Sequence, residues 1–158
     1  MKKNQQNYPY YEVEKISSIK DMLEKAVNEA GDKLAFRYKK GNEVVDVTYT
    51  QFQQDTFALG SALNKLGFSD RHIACLGENS YNWLVVYLTV LKSRGVFVPI
   101  DKELPFCDIV NVVNDSDSEI LFYSAKYEKD LMENVERFPK IKYFIGFDRE
   151  TDEKNFLS

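Results

Sequence analysis

Two cysteines, one histidine, seven glycines and four prolines are all that 158 residues hold of these types, and each scarcity excludes something. Cys75 and Cys107 are too far apart for a CxxC pair and too few to staple a secreted scaffold, which favours a reducing, cytoplasmic setting. With His72 alone, an HExxH metal site is excluded, and any Ser-His-Asp triad would depend on this one residue. Its place at the entry of a predicted strand suggests ordinary hydrogen bonds instead. The seven glycines, at positions 31, 41, 60, 67, 77, 95 and 146, never fall in GxGxxG or GxxxxGKS/T spacing, so no phosphate-cradling loop is present, and turns or helix ends account for most of them. No basic block exceeds Lys2-Lys3 or Lys39-Lys40, and the net charge is -4. That leaves no electrostatic footprint for nucleic acid. The longest apolar run, Trp83 to Leu91, contains Thr89 and is followed by Lys92 and Arg94. It falls short of the roughly 20 residues that span a bilayer, and Met1 to Asn7 are polar where a signal peptide would be apolar. These features predict a soluble protein with no transmembrane segment; peripheral membrane contact stays open, although no basic amphipathic helix is visible.

What the chain does have is a core-forming composition: 44% hydrophobic, 14% aromatic and 29% charged residues, enough for one ordinary globular domain. Residues 1–16 read as an N-terminal arm without periodicity, its Tyr8-Pro9-Tyr10-Tyr11 offering surface to a partner. Ser18 then caps a helix whose apolar positions Ile19, Met22, Leu23, Ala26, Val27 and Ala30 recur at helical spacing and end at Gly31. Leu34 to Tyr38 and Val44 to Tyr49 predict a β-hairpin joined by Lys39 to Glu43. Thr50 with Gln53 predicts a capping box for a second helix, whose face of Phe52, Leu59, Leu63 and Leu66 stops at Gly67. His72 to Leu76, a helix capped by Asn79 or Ser80 and C-capped by Gly95, and Val96 to Ile100 form a βαβ unit. The pattern repeats: a helix from about Pro105 to Asn114, a strand from Glu119 to Tyr123, a charged helix from Ala125 to Phe138, and a strand from Ile141 to Phe147. The expected fold is α/β, an open, mostly parallel, doubly wound sheet with helices on both faces, preceded by a helix and a β-hairpin. The tail, 148–158, is charged and ends in Phe156-Leu157-Ser158, which reads as the start of a missing continuation.

Candidate chemistry is thin. Asp115-Ser116-Asp117-Ser118-Glu119 opens like a calcium loop, but Ile120 occupies the position that needs glycine and Lys126 the one that needs an acid, so a solvated turn is expected. Glu78, Asn79 and Ser80 emerge together at a strand's carboxyl end and a helix start; capping is preferred over anion binding. Cys75 should be an inert buried thiol and Cys107 the more exposed one. Trp83, Tyr87 and Leu91 are expected to pack on the sheet rather than to form a stacking box for a ligand. No catalytic, cofactor-binding or metal residue is assigned.

The order of motifs carries more than any one of them. Thr48-Tyr49-Thr50-Gln51-Phe52, Ala58-Leu59-Gly60-Ser61-Ala62-Leu63, Leu66-Gly67 and Ile73-Ala74-Cys75-Leu76-Gly77-Glu78-Asn79-Ser80-Tyr81-Asn82-Trp83 resemble the opening of the AMP-binding, adenylate-forming synthetases. Leu91-Lys92-Ser93-Arg94-Gly95-Val96-Phe97-Val98-Pro99-Ile100-Asp101, then Leu104-Pro105 and Ile109 to Ser116, continue the likeness in register, with Arg94 where the family usually has a small residue. The resemblance covers about residues 16–147, and long-chain fatty acid acyl-CoA synthetases are the branch most similar in motif. It implies ATP-dependent activation of a fatty acid to an acyl-adenylate, then transfer to coenzyme A, with ATP, Mg and coenzyme A as cofactors of the full-length enzyme. The family's phosphate loop, adenine and acyl pocket, ribose-holding acid and catalytic lysine have no counterpart among these residues. Residues 17–147 are therefore expected to be an N-terminal subdomain acting as scaffold, inactive and cofactor-free alone, its partner being the missing remainder of its own chain. The other reading is a stand-alone flavodoxin-like module that binds a nucleotide, an anion or a partner through Glu78, Asn79 and Asp101 at strand ends.

Overall fold

A computed structural model describes residues 12–147 and 156–157. The tyrosines of the expected arm and the charged stretch of the tail lie outside the described residues. Helix α1, Ile19–Ala30, begins where Ser18 Oγ accepts from Asp21 N at 3.1 Å. Gly31 ends it in right-handed geometry, φ -44, and so is not a left-handed cap. A Cβ there would lie 2.8 Å from Thr50 Oγ1, and Gly31 O accepts from Thr50 N at 2.9 Å. Close approach to the next helix is what requires glycine.

Strands β1, Leu34–Lys40, and β2, Glu43–Thr48, pair antiparallel with Lys40 opposite Glu43. The connection is shorter than the sequence suggests, because Lys39, Lys40 and Glu43 continue the ladder. Gly41, at φ +60, leads the remaining Gly41-Asn42 turn, as in a type II′ hairpin. Helix α2, Tyr49–Lys65, follows without a gap. Its cap is Thr48, not Thr50: the extended backbone that closes β2 leaves the Thr48 hydroxyl to accept from Gln51 N at 3.2 Å. At the far end Gly67, φ +81, sits between two return bonds, Gly67 N to Asn64 O at 3.0 Å and Phe68 N to Leu63 O at 2.8 Å. That is a Schellman ending, and Leu63 and Phe68 share one apolar cluster as it favours.

The main sheet runs β3 (His72–Leu76), β4 (Val96–Ile100), β5 (Ile120–Tyr123), β6 (Tyr143–Gly146) and β7 (Phe156–Leu157), in spatial order β4-β3-β5-β6-β7, with every pairing parallel. The apolar pair near the chain end is thus a fifth strand, Phe156 stacking on Phe144 at 4.7 Å. Pro99 is accommodated because β4 is an edge strand. Helix α3 (Tyr81–Lys92) crosses from β3 to β4, and α4 (Phe106–Asp115) from β4 to β5. The expected long helix before β6 is instead α5, Glu128–Glu133, between two 3-10 turns. Asn134 breaks it at φ -132, its amide donating to Asp130 O at 2.9 Å, and Phe138, before Pro139, is drawn into the core. Nor does Gly95 cap α3. Ser93 does so in extended geometry, and a Cβ on Gly95 would come within 3.0 Å of Arg71 O.

Alternation along the strands divides the core. Ala74, Leu76, Leu121, Tyr123 and Phe144 face α4 and α5, packing with Ile109, Val113, Leu131 and Phe138. Ile73, Cys75, Ile120 and Phe122 face α2 and α3, packing with Leu63, Val86 and Val90. A third cluster, around Val47, Phe52 and Val85, fastens the hairpin and α1 to the outside of α2 and α3. Among the described residues no helix is long and apolar enough to cross a membrane.

Candidate functional site

In an open parallel sheet, ligands bind outside the carboxyl ends of the strands, where neighbouring connections depart to opposite faces. Here that point lies between β3 and β5, since the chain leaves β3 toward α3 and leaves β5 toward α5. The loops after these strands supply its polar groups. Ser124 N donates to Leu76 O at 3.1 Å, extending the ladder by one residue. Ser124 Oγ donates to Glu78 Oε2 at 2.8 Å, and Lys126 Nζ lies 3.6 Å from Glu78 Oε1. The Ser124 hydroxyl first, then Glu78's own backbone N–H and, more weakly, the Lys126 charge hold the Glu78 carboxyl below the usual range against the opposing effect of burial. Gly77 admits this approach: a Cβ would lie 3.2 Å from Ser124 Cβ and 3.4 Å from Phe147 Cε2.

Ser80 caps α3, accepting from Trp83 N at 3.1 Å, as the sequence predicts. Asn79 and Ser80 both line a cleft of about 460 Å³ between the hairpin turn and the start of α3, with Lys39, Lys40, Tyr81 and Asn82. Tyr81 forms the cleft's rigid wall. It stacks on Tyr38 at 5.2 Å and donates to Asp55 Oδ2 at 2.6 Å; burial first, then the Asp55 carboxylate, push its phenol upward. Asn82 also donates to Phe147 O at 3.2 Å.

Asp101 does not join Glu78. It stands at the same end of the sheet, just past Ile100, but its carboxylate accepts from Glu103 N at 2.9 Å and shapes its own loop. His72 lies at the opposite end of β3, where Nδ1 donates to Ser116 O at 2.6 Å. The strand between separates it from Ser80 and Ser124 by about 15 Å, so these residues build no triad. In the acidic turn Asp117, at φ 55, pairs with Lys140 at 2.6 Å, and Glu119 pairs with Lys142 and with Arg71 at 3.7 Å. Among the described residues no three His, Cys, Asp or Glu side chains converge to hold a metal ion. Cys75 is fully buried and its thiol is pushed up by desolvation, whereas Cys107 is exposed. Trp83 and Tyr87 stack at 5.3 Å and clasp Phe97 on the edge strand, while Val86 and Val90 form the buried face of α3.

Sequence reasoning found Glu78, Asn79 and Ser80 but missed Ser124, Lys126 and Phe147, which come from loops 46 or more positions away. Only the strand order brings them together, and that order places the loop after β5 beside the loop after β3. What the cluster does chemically is brace: an ionised carboxylate joins two loops across the switch point.

Comparison with known proteins bears on what lies around this brace. The AMP-binding enzyme family profile matches residues 23–156. One of the mycosubtilin synthase subunits of Bacillus subtilis is 34% identical over 86 residues, covering 54% of this chain and 3% of that protein. A long-chain-fatty-acid–CoA ligase of Xenopus laevis is 24% identical over 140 residues, covering 87% of this chain and 19% of that one. The crystal structure of the anthranilate CoA ligase AuaEII with anthranoyl-AMP superposes with a TM-score of 0.77 at 17% identity, over 90% of this chain and 27% of that one. The chain thus spans less than a fifth of the length of the two relatives matched by sequence. With the sheet order, the loop cluster and the match over most of its residues, the chain belongs to the AMP-binding enzyme family.

Proposed function

We propose that this chain is the N-terminal, scaffolding portion of an acyl-CoA ligase that activates a fatty acid with ATP to an acyl-adenylate and transfers the acyl group to coenzyme A. The observation that carries this reading is the family match over residues 23–156 in a chain covering only 19% of a CoA ligase to which it is similar along 87% of its own length. The long-chain fatty acid is the proposed substrate because that relative acts, by its name, on such acids.

The geometry supports scaffolding rather than catalysis. Phosphoryl chemistry needs cationic groups, a metal and backbone donors aimed at one point. At the switch point Glu78 instead presents a carboxylate already engaged by Ser124 and Lys126. ATP, Mg and coenzyme A are assigned to the complete enzyme, and no step through them is assigned to these residues. A self-contained binding module would need Glu78, Asn79 and Asp101 in one open site. Glu78 is engaged by Ser124 and Lys126 beyond β5, and Asp101 by its own loop, which disfavours it.

The test follows pyrophosphate release from Mg-ATP with a panel of fatty and aryl acids. The 158-residue chain is expected to give no release above a mock preparation, and release clearly above it would overturn the scaffold reading. Sequencing the coding region past Ser158 is the companion measurement. An open frame encoding a Ser/Thr/Gly-rich loop with a lysine is expected, and a stop codon directly after Ser158 would overturn the ligase reading.

A further inference from the structure

The face made by α1, α2 and α3 carries a lysine in an unusual setting. Lys92, in the last turn of α3, is about 18 Å along the helix from Ser80 and so lies far from the switch point. It is half-buried, and its Nζ donates to Thr56 Oγ1 at 2.9 Å. Thr56 is itself buried and donates to Gln53 O at 3.0 Å, and Thr89 Oγ1 donates to Thr56 O at 3.2 Å. The ammonium is therefore held by a neutral hydroxyl network between α2 and α3. Among the described residues no carboxylate lies within 4.0 Å of it. The charged groups facing it come from α1: Lys20 and Glu24, which also line the groove. Burial pushes its ionisation down, Glu24 acts against that, and Lys20 adds to it.

Two grooves meet at this amine, one of about 420 Å³ and one of about 320 Å³, and both are lined by Lys20, Phe57 and Lys92. Phe57 is 72% exposed, and Leu23 adds apolar wall to the larger groove. A partly desolvated amine beside an apolar wall fits an acyl group with a hydrocarbon chain.

We propose that Lys92 is a site of N-acylation by activated acyl donors of the thioester class, with Phe57 and Leu23 receiving the acyl chain. The ammonium gives one proton to solvent, and the amine lone pair attacks the thioester carbonyl. The C–N bond forms as the C–S bond breaks, the thiolate leaves with its electron pair, and the amine's proton passes to it, giving an amide and a free thiol. The product suits the site. The amide keeps one N–H for Thr56 Oγ1 and removes the charge that burial disfavours.

The experiment incubates the 158-residue chain separately with the acetyl and octanoyl thioesters of N-acetylcysteamine and reads initial acylation rates lysine by lysine by peptide mass spectrometry. Lys92 is expected to react at least about fivefold faster than the exposed Lys65 of α2, as a desolvated amine should. Octanoyl transfer should outpace acetyl transfer at Lys92 alone, and Phe57→Ala, a change at an exposed side chain, should erase that preference while the circular dichroism stays native. A Lys92 rate at or below that of Lys65, or a chain-length preference that survives F57A, would overturn the assignment.

Discussion

Leu131→Ala is the sharpest test of how the second face of the sheet is covered. Helix α5 has six residues and is broken at both ends, so neither helix propensity nor length holds it in place. Its attachment rests on Leu131, fully buried, with Tyr127 and Phe138 on the flanking turns. Truncation removes three carbons, worth about 2.4 kcal/mol of transfer free energy at about 0.8 kcal/mol each. A partly collapsed cavity adds about 1 kcal/mol more, for a total of about 3–4 kcal/mol. A chain of 158 residues has an unfolding entropy of about 0.33 kcal/mol/K, so the midpoint should fall by about 10 °C. Urea titration followed by circular dichroism gives the free energy, with an unchanged slope expected. The neighbouring Met132 is 39% exposed, and Met132→Ala should cost no more than about 0.5 kcal/mol. A loss below about 1 kcal/mol for L131A, or equal losses for the two variants, would refute the described docking of α5.

The Glu78 brace predicts a pH signature. Its carboxyl is held below the ordinary value, so its stabilisation is complete above the unfolded glutamate pKa and disappears as pH falls through the lower folded one. Because the side chain is 45% exposed, solvent screening keeps the effect below about 1 kcal/mol. The urea midpoint of Glu78→Gln should lie below wild type at pH 7 and converge with it below about pH 4. Midpoints separated equally at both pH values would dismiss the ionic brace. A thiol reagent should label Cys107 in the native protein and Cys75 only on unfolding; rapid native labelling of both would contradict the burial of β3. At Gly67, φ is +81 and nothing lies within 4 Å of an added Cβ, so Gly67→Ala carries only the backbone penalty, about 1 kcal/mol, visible as a lower urea midpoint. A neutral G67A would mean that the left-handed ending of α2 is not maintained.

The parts legible in the sequence were those governed by local pattern. The spacing of Ile19, Leu23 and Val27 and the cap at Ser18 mark α1 to the residue. Residues 72–100 read as βαβ because both strands are apolar on two faces and a capped helix lies between them. Local pattern misled where a tertiary neighbour decided the outcome. Thr50 and Gln53 have the spacing of a capping box, yet β2 ends so close to α2 that Thr48 takes the role. Gly31 and Gly95 stand where caps belong, but packing against Thr50 and the Arg71 carbonyl is what excludes a side chain. The charge pattern from Ala125 to Phe138 is helical throughout, and the demand to bury Phe138 overrides it. Ser124 and Lys126 have no local mark of function, because their meaning comes only from strand order.

The switch point of a doubly wound sheet is ordinarily open because two loops turn away from each other and leave a crevice. In this chain the crevice is closed from inside. Gly77 lets the β3 loop settle against Ser124 and Phe147, and Glu78 then reaches across to Ser124 and Lys126. An incoming phosphate at that spot would meet a carboxylate whose ionised form is favoured by its own neighbours, and Coulomb repulsion at contact distance opposes binding. The cleft that does remain lies one step outward, between the hairpin turn and α3, where Lys39, Lys40 and Asn79 are displayed on a wall stiffened by the Tyr38–Tyr81 stack. A carboxylate braced across the switch point leaves no cationic site there for a phosphate, which is what the proposed role as a ligase's scaffold requires.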